Sequence, residues 1–231
     1  MNFKALTVMF FAGTIFFNSC GTNSGNSANP EDSITVTGNS TQSSALAVKK
    51  YDIKSGIITY NSDAMGIKST QVLYFDDYGA RERQENVIEL EMMGIKTKTV
   101  SVSITKDGYK YDFETENFVG NENKLKKEIK KTAAISGSSG DMSSMTATMS
   151  DEMKKQYEYK EEGTETVAGV TGTKFSMKFG KAKISGTIYK KLMLKSEMDM
   201  VKIYATKFEE NVTVQDQLFE LPKDYEIVEI K

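Results

Sequence analysis

The feature that most limits what this chain can become is the alternation of apolar and polar residues across residues 163–227. Phe175, Met177 and Phe179 alternate with Lys174, Ser176 and Lys178. Successive side chains of a strand point to opposite faces, so a period of two marks a strand with one buried face and one wet face. Gly180 and Gly186 punctuate the run, residues 188–200 and 201–208 form two more, and Phe219-Glu220-Leu221-Pro222 closes the series. This part of the chain reads as consecutive strands.

The same period governs the first half of the body. Residues 56–62 and 67–75 read as strands joined through Ala64-Met65-Gly66, and Asp76-Asp77-Tyr78-Gly79 supplies turn residues before a third. In that third strand Ile88, Leu90 and Met92 alternate with Glu89 and Glu91. Val100, Val102 and Ile104 then alternate with Ser101 and Ser103. Beyond the turn at Lys106-Asp107-Gly108, Tyr109, Tyr111 and Phe113 alternate with Lys110, Asp112 and Glu114. A long antiparallel meander accommodates this order.

Two segments between these blocks carry helical spacing. Asn121 is placed to cap residues 122–131, where Leu125 and Ile129 lie four apart and lysines gather at the C-terminal end. After a Gly/Ser break, Met142, Met145, Met149, Met153 and Tyr157 recur at three- and four-residue intervals, one stripe of a helix. Its Ser and Thr residues are mediocre helix formers. A start at Ser150, with Asp151 and Glu152 following as first-turn acids, is the alternative.

Strands flanking a central pair of helices suit a mainly β (α+β) fold: a strongly curved antiparallel sheet forming an unclosed half-barrel, with a short helical lid over its concave face. The C-terminal half resembles the periplasmic lipoprotein-carrier-like (lipoprotein-sorting-like) family of bacterial envelope proteins. The resemblance rests on Val167-Ala168-Gly169, Lys174-Phe175, Lys191-Leu192-Met193-Leu194-Lys195 and Phe219-Glu220-Leu221-Pro222. It implies an unclosed barrel with a helical lid over an apolar cavity. A closed lipocalin-like barrel is the competing fold.

Residues 1–19 read as a secretory signal: a positive start at Lys4, an apolar run over residues 5–17, and a small residue before Cys20. That run is shorter than the roughly 20 residues needed to cross a bilayer. Ser19-Cys20 resembles a bacterial lipobox, in which Cys20, the chain's one cysteine, takes the lipid. Gly21 rather than Asp after it favours the outer membrane. Residues 20–45 then form a lipidated Cys and a flexible Gly/Ser/Thr/Asn tether spanning about 25–30 Å. Residues 46–231 form one carrier-like domain.

Several chemistries are excluded by composition. The chain has no histidine, which removes His-based triads, dyads and zinc sites. No nucleophile elbow, P-loop or dinucleotide fingerprint occurs. Adjacent carboxylates such as Glu161-Glu162 point to opposite faces of a strand. With 30 basic and 32 acidic residues, nucleic acid has no electrostatic reason to bind. No enzyme activity, cofactor or metal is expected.

Thirteen methionines and no tryptophan remain to be explained. Methionine is unbranched and soft, so Met142, Met145, Met149 and Met153 on a lid would make an adaptable lining for an acyl chain. Ile88, Leu90, Met92, Val100, Val102, Tyr111, Phe113, Phe175, Met177, Met198 and Met200 would line the strands beneath it. The same methionines also suit plain core filling, and Met142, Met145 and Met149 suit a thioether site for Cu(I). Lys124, Lys126, Lys127, Lys130 and Lys131 fit either anionic headgroups or a solvated face. Two function classes follow: a membrane-anchored envelope protein holding an apolar ligand such as a lipid or acyl chain, or one of the same fold with a filled core that binds an envelope protein partner.

Overall fold

The computed structural model describes residues 49–134 and 149–230. Thirteen strands form a single sheet: β1 (Gly56–Ala64), β2 (Ile67–Asp76), β3 (Arg81–Met92), β4 (Ile95–Lys106), β5 (Tyr109–Val119), β6 (Glu122–Asn123), β7 (Glu128–Ala133), β8 (Lys160–Val167), β9 (Val170–Phe179), β10 (Ala182–Tyr189), β11 (Leu192–Met198), β12 (Val201–Glu210) and β13 (Glu226–Glu229). Their spatial order is β13-β7-β5-β4-β3-β2-β1-β12-β11-β10-β9-β8, with β6 paired to β5. The sheet is curved and unclosed, a half-barrel, as the alternation and the resemblance imply. All pairings are antiparallel except β13 on β7.

Several hairpins turn on two residues with both φ positive, the type I′ geometry whose twist matches that of the strands it joins. Met65-Gly66, Met93-Gly94, Asp107-Gly108 and Ala168-Gly169 are of this kind. Register is further set by close approach. A Cβ on Gly56 would sit 2.7 Å from the Phe75 ring, and one on Gly186 would sit 2.4 Å from the Lys195 carbonyl and 2.8 Å from Phe175. Each glycine lies opposite that phenylalanine in the neighbouring strand, so the ring folds over it.

The helix expected over residues 122–131 is not there. β6 and β7 occupy the stretch, and Ile129 is fully buried between β5 and β13. A spacing of four is even, so Leu125 and Ile129 satisfy the strand period as well as the helical one. Pairing on both sides then decides for the strand, because β5 takes residues 130–133 and β13 residues 128–131. The methionine stripe yields one helix among the described residues, α1 (Asp151–Gln156), starting after Ser150. The Ser150 hydroxyl accepts from the Met153 amide at 3.2 Å.

Candidate functional site

Parity along the paired strands separates the expected lining onto two faces. Ser69 lies opposite Ile88, and Leu73 opposite Gln84, so Ile88, Leu90 and Met92 share the face of Leu73 and Phe75. Glu85 lies opposite Val102 and Val87 opposite Val100, so these valines, with Ile104 and Phe113, belong to the other face. Alternation holds through Val100, Val102 and Ile104 of β4, but in β9 Ser176 is buried and Phe179 exposed, and Tyr109 of β5 is exposed. Alternation does not bring Ile88 and Leu90 together with Val100, Val102 and Phe113.

On the first face Ile58, Tyr60, Leu73, Phe75 and Ala205 are buried under Tyr51 and Ile53. Tyr51 tilts against Phe75 with ring centroids 4.8 Å apart, and its hydroxyl donates to Glu82 at 2.6 Å. Lys50 pairs with the other oxygen of that carboxylate at 2.8 Å. The segment before β1 is thus a cover, pinned by one shared acid.

On the second face Val102, Ile104, Phe113 and Ile129 are buried under Val214 and Phe219, with Tyr111, Leu221 and Tyr225 packed around them. The covering strap comes from 85 or more residues further along the chain. Lys106 donates to the Phe219 carbonyl at 2.7 Å, Arg83 to the Leu218 carbonyl at 3.3 Å, and the Tyr225 hydroxyl to the Glu114 carbonyl at 2.9 Å. Arg81 binds Asp76 at 2.6 Å and Asp216 at 2.8 Å. The strap's carbonyls would otherwise lack strand partners, and cationic donors satisfy them.

A third cluster joins Phe175, Met177 and Ile184 to Met149, with Met153, Met193 and Met198 against it. Tyr159 stacks on Phe175 at 5.7 Å and Tyr157 on Phe179 at 5.4 Å. The Lys178 amide donates to the Tyr157 carbonyl at 2.6 Å, tying the end of α1 to β9. Of the expected lining, Phe175, Met177, Met149, Met153 and Met198 come together here. Met92 and Met200 do not: both are exposed, at hairpin turns. Met142, Met145 and Cys20 lie outside the described residues, as do the signal, the lipobox and the tether.

Two open concavities among the described residues are lined mainly by charged side chains. One, of about 250 Å³, is lined by Lys160, Glu162, Ser176, Met177 and Lys183 among others. The other, of about 190 Å³, is lined by Glu165, Lys174, Lys195 and Glu197 among others. Glu165 accepts from the buried Thr187 hydroxyl at 2.6 Å and from Lys195 at 2.9 Å. These two bonds hold its carboxyl below the ordinary range. Ser176 donates to Glu162 at 2.6 Å and lowers that carboxyl likewise. Both carboxylates are thereby held in their ionised form, and the grooves carry paired charge. Among the described residues, no group of three His, Cys, Asp or Glu is placed to hold a metal ion, and no helix is long and apolar enough to cross a membrane.

No protein-family model matches the chain, and no curated protein sequence does. Solved structures with a similar course include an uncharacterized conserved protein from Thermus thermophilus, at 11% identity over 79% of this chain and 94% of that one, with a TM-score of 0.48. The MucA/MucB complex of Pseudomonas aeruginosa matches at 13% identity over 76% of this chain and 58% of that one, with a TM-score of 0.43. PNGF-II matches at 16% identity over 77% and 31%, with a TM-score of 0.36. Likenesses this distant decide nothing about function, and what the chain does has to be read from its own residues.

The periodicity of the strands did not reveal the covers. Tyr51 and Ile53 precede the first strand, and Val214 and Leu218 follow the last long one, so neither pair belongs to an alternating run. The one available signal was Phe219-Glu220-Leu221-Pro222, an apolar motif in a stretch with no strand to place it on.

Proposed function

We propose that this chain is a lipid-anchored, non-enzymatic protein of the bacterial envelope, held at the outer membrane facing the periplasm, that works by binding a protein partner. The anchor and the compartment rest on the signal, on Cys20 and on the tether that follows. The mode of action is supported by one observation above the others: each apolar cluster of the sheet is covered by the chain's own residues. Tyr51 and Ile53, the strap through Phe219, and Met149 with α1 occupy the positions that a stored acyl chain would take. A filled core leaves the outer surface as the place of contact.

Native mass spectrometry of the detergent-purified protein, with lipid extraction of the same sample, tests this. The expected result is a mass carrying only the covalent anchor, with no further acyl chain bound. A stoichiometric, non-covalent lipid would overturn it in favour of the apolar-ligand reading. One feature favours that second reading: the cluster around Phe175 is built from methionines, which re-pack at little cost. For the anchor, Cys20→Ser is expected to move the protein from the membrane pellet to the soluble fraction and to abolish palmitate labelling.

A further inference from the structure

Exposed apolar side chains are concentrated at one end of the strands. β1 runs toward this end and β2 away from it, and the antiparallel order repeats this across the sheet. The turns β1–β2, β3–β4, β5–β6, β9–β10 and β11–β12 therefore share one rim. Met65 is 74% exposed, Met92 62%, Met93 100%, Ile95 52%, Val119 42% and Met200 65%. The opposite rim carries Asp77, Asp107, Lys190 and Lys191 at its turns, with Tyr109, 42% exposed, as its apolar exception.

The backbone adds a second, independent cost. Met65 and Met93 hold φ of 57° and 53°. Left-handed turn positions of this kind favour Gly, Asn or Asp, and an unbranched apolar side chain there is conformationally unfavourable as well as unfavourably hydrated. At the equivalent position of the β4–β5 turn the chain uses Asp107. Among the described residues, neither Met65 nor Met93 contributes to an apolar cluster.

We infer that this rim is a membrane-contacting edge that inserts its turn tips shallowly into a lipid bilayer. The shape selects the occupant. Hairpins two strands apart stand about 10 Å from one another, so Val119, Met93 and the adjoining pair Met65 and Met200 form a row about 25 Å long. Met65 and Met200 are directly joined by a backbone bond of 3.0 Å. Side chains added at Gly66, Gly94 or Gly120 would meet nothing within 4 Å, so the turns stand clear of the body. A protein partner would need separate matched pockets for Val119, for Met93 and for the Met65 and Met200 pair. A bilayer interface closes around each one without any matching.

Charge near the Met65, Met93 and Met200 tips is balanced, while the β9–β10 turn on the same rim carries Lys181. Lys68, Lys96 and Lys202 are offset by Asp63, Glu91 and Asp199. Contact is therefore driven by apolar insertion and requires no anionic lipid. Residue 49, where the described chain begins, lies at the opposite rim, with the Lys50 amide bonded to the Tyr78 carbonyl. The rim is thus a contact separate from any N-terminal anchor.

The test places an environment-sensitive fluorophore at single cysteines in the full chain with Cys20→Ser, using phosphatidylcholine vesicles. Labels at Met93→Cys and Met65→Cys are expected to shift to the blue and brighten several-fold, while one at Asp107→Cys is unchanged. In a second measurement, Met65→Ser, Met93→Ser and Met200→Ser together are expected to lower vesicle partition about tenfold or more, with the melting transition retained. An unchanged spectrum at Met93, an equal shift at Asp107, or undiminished partition of the triple variant would overturn the inference. Because the readout is at the rim, these outcomes are independent of whether the core holds a lipid.

Discussion

The strap cluster and the methionine cluster are built on the same sheet by the same alternation, yet their covers differ in stiffness. Val102, Ile104, Phe113 and Ile129 meet Val214 and Phe219, side chains with few rotamers. Lys106, Arg83 and Tyr225 clamp that cover through carbonyls. The methionine cluster is closed by Met149 and by a six-residue helix held through its Ser150 cap and, at its C-terminal end, through Tyr157 and Glu158 to Lys178 and Phe179 of β9. A helix of that length has no stability of its own in water. The strap seals its face, whereas the α1 side is where internal volume can change at least cost.

Truncation separates the two most strongly. Phe219→Ala is expected to cost about 3–5 kcal/mol in urea denaturation, since the strap is clamped and cannot collapse into the void. Phe175→Ala should fall near the lower end, about 3 kcal/mol, because Met177, Met193 and Met198 can re-pack toward the gap. Equal losses at the two sites would break the contrast.

Lys106→Met probes the clamp itself. It leaves the Phe219 carbonyl without its cationic donor, and the expected cost is about 1.5–3 kcal/mol. A smaller effect follows at the soft cover, where Ser150→Ala removes the cap of α1. The loss there is about 1 kcal/mol, confined to α1. Hydrogen exchange over residues 151–157 should quicken while the global midpoint barely moves. A global shift as large as that of Lys106→Met would mean that α1 is as integral as the strap.

The smallest expected effect is electrostatic. Thr187 and Lys195 hold the folded Glu165 carboxyl below its unfolded value. A lowered folded value stabilises the native state above the unfolded pKa of about 4.3. That contribution is lost as pH falls through the folded value. The stability difference between the native protein and Glu165→Gln should therefore be steady from neutral pH to about 5 and shrink below about 4. A difference that persists at pH 3, followed by urea midpoints, would assign the stability to Thr187 packing instead.

Much of the sheet was legible from periodicity. The alternation in β3, β4, β5 and β9 located those strands, and Asp107-Gly108 and Met65-Gly66 marked their turns. Buried Ser176 and Thr187 on the polar phase of β9 and β10 were not legible, because their partners Glu162 and Glu165 come from β8. The candidate lining was legible only strand by strand. Periodicity distinguishes the two faces of one strand, but it does not say which face of the next strand is continuous with it. That depends on register, and register set Ile88 and Leu90 against Val100 and Val102.

What the sequence determined by itself is the sheet: a period of two can be satisfied only by strands, and short turns force most of them antiparallel. What the tertiary structure alone decided is how each face is covered, and the fate of Leu125 and Ile129, whose even spacing suited helix and strand alike. Local pattern is a property of neighbouring residues. Cover is a contact between residues such as Phe113 and Tyr225, whose rings meet at 5.8 Å across more than 100 positions. No periodicity spans that distance, so only the folded chain, with β7 paired on both sides and the strap bound by Lys106, fixes it.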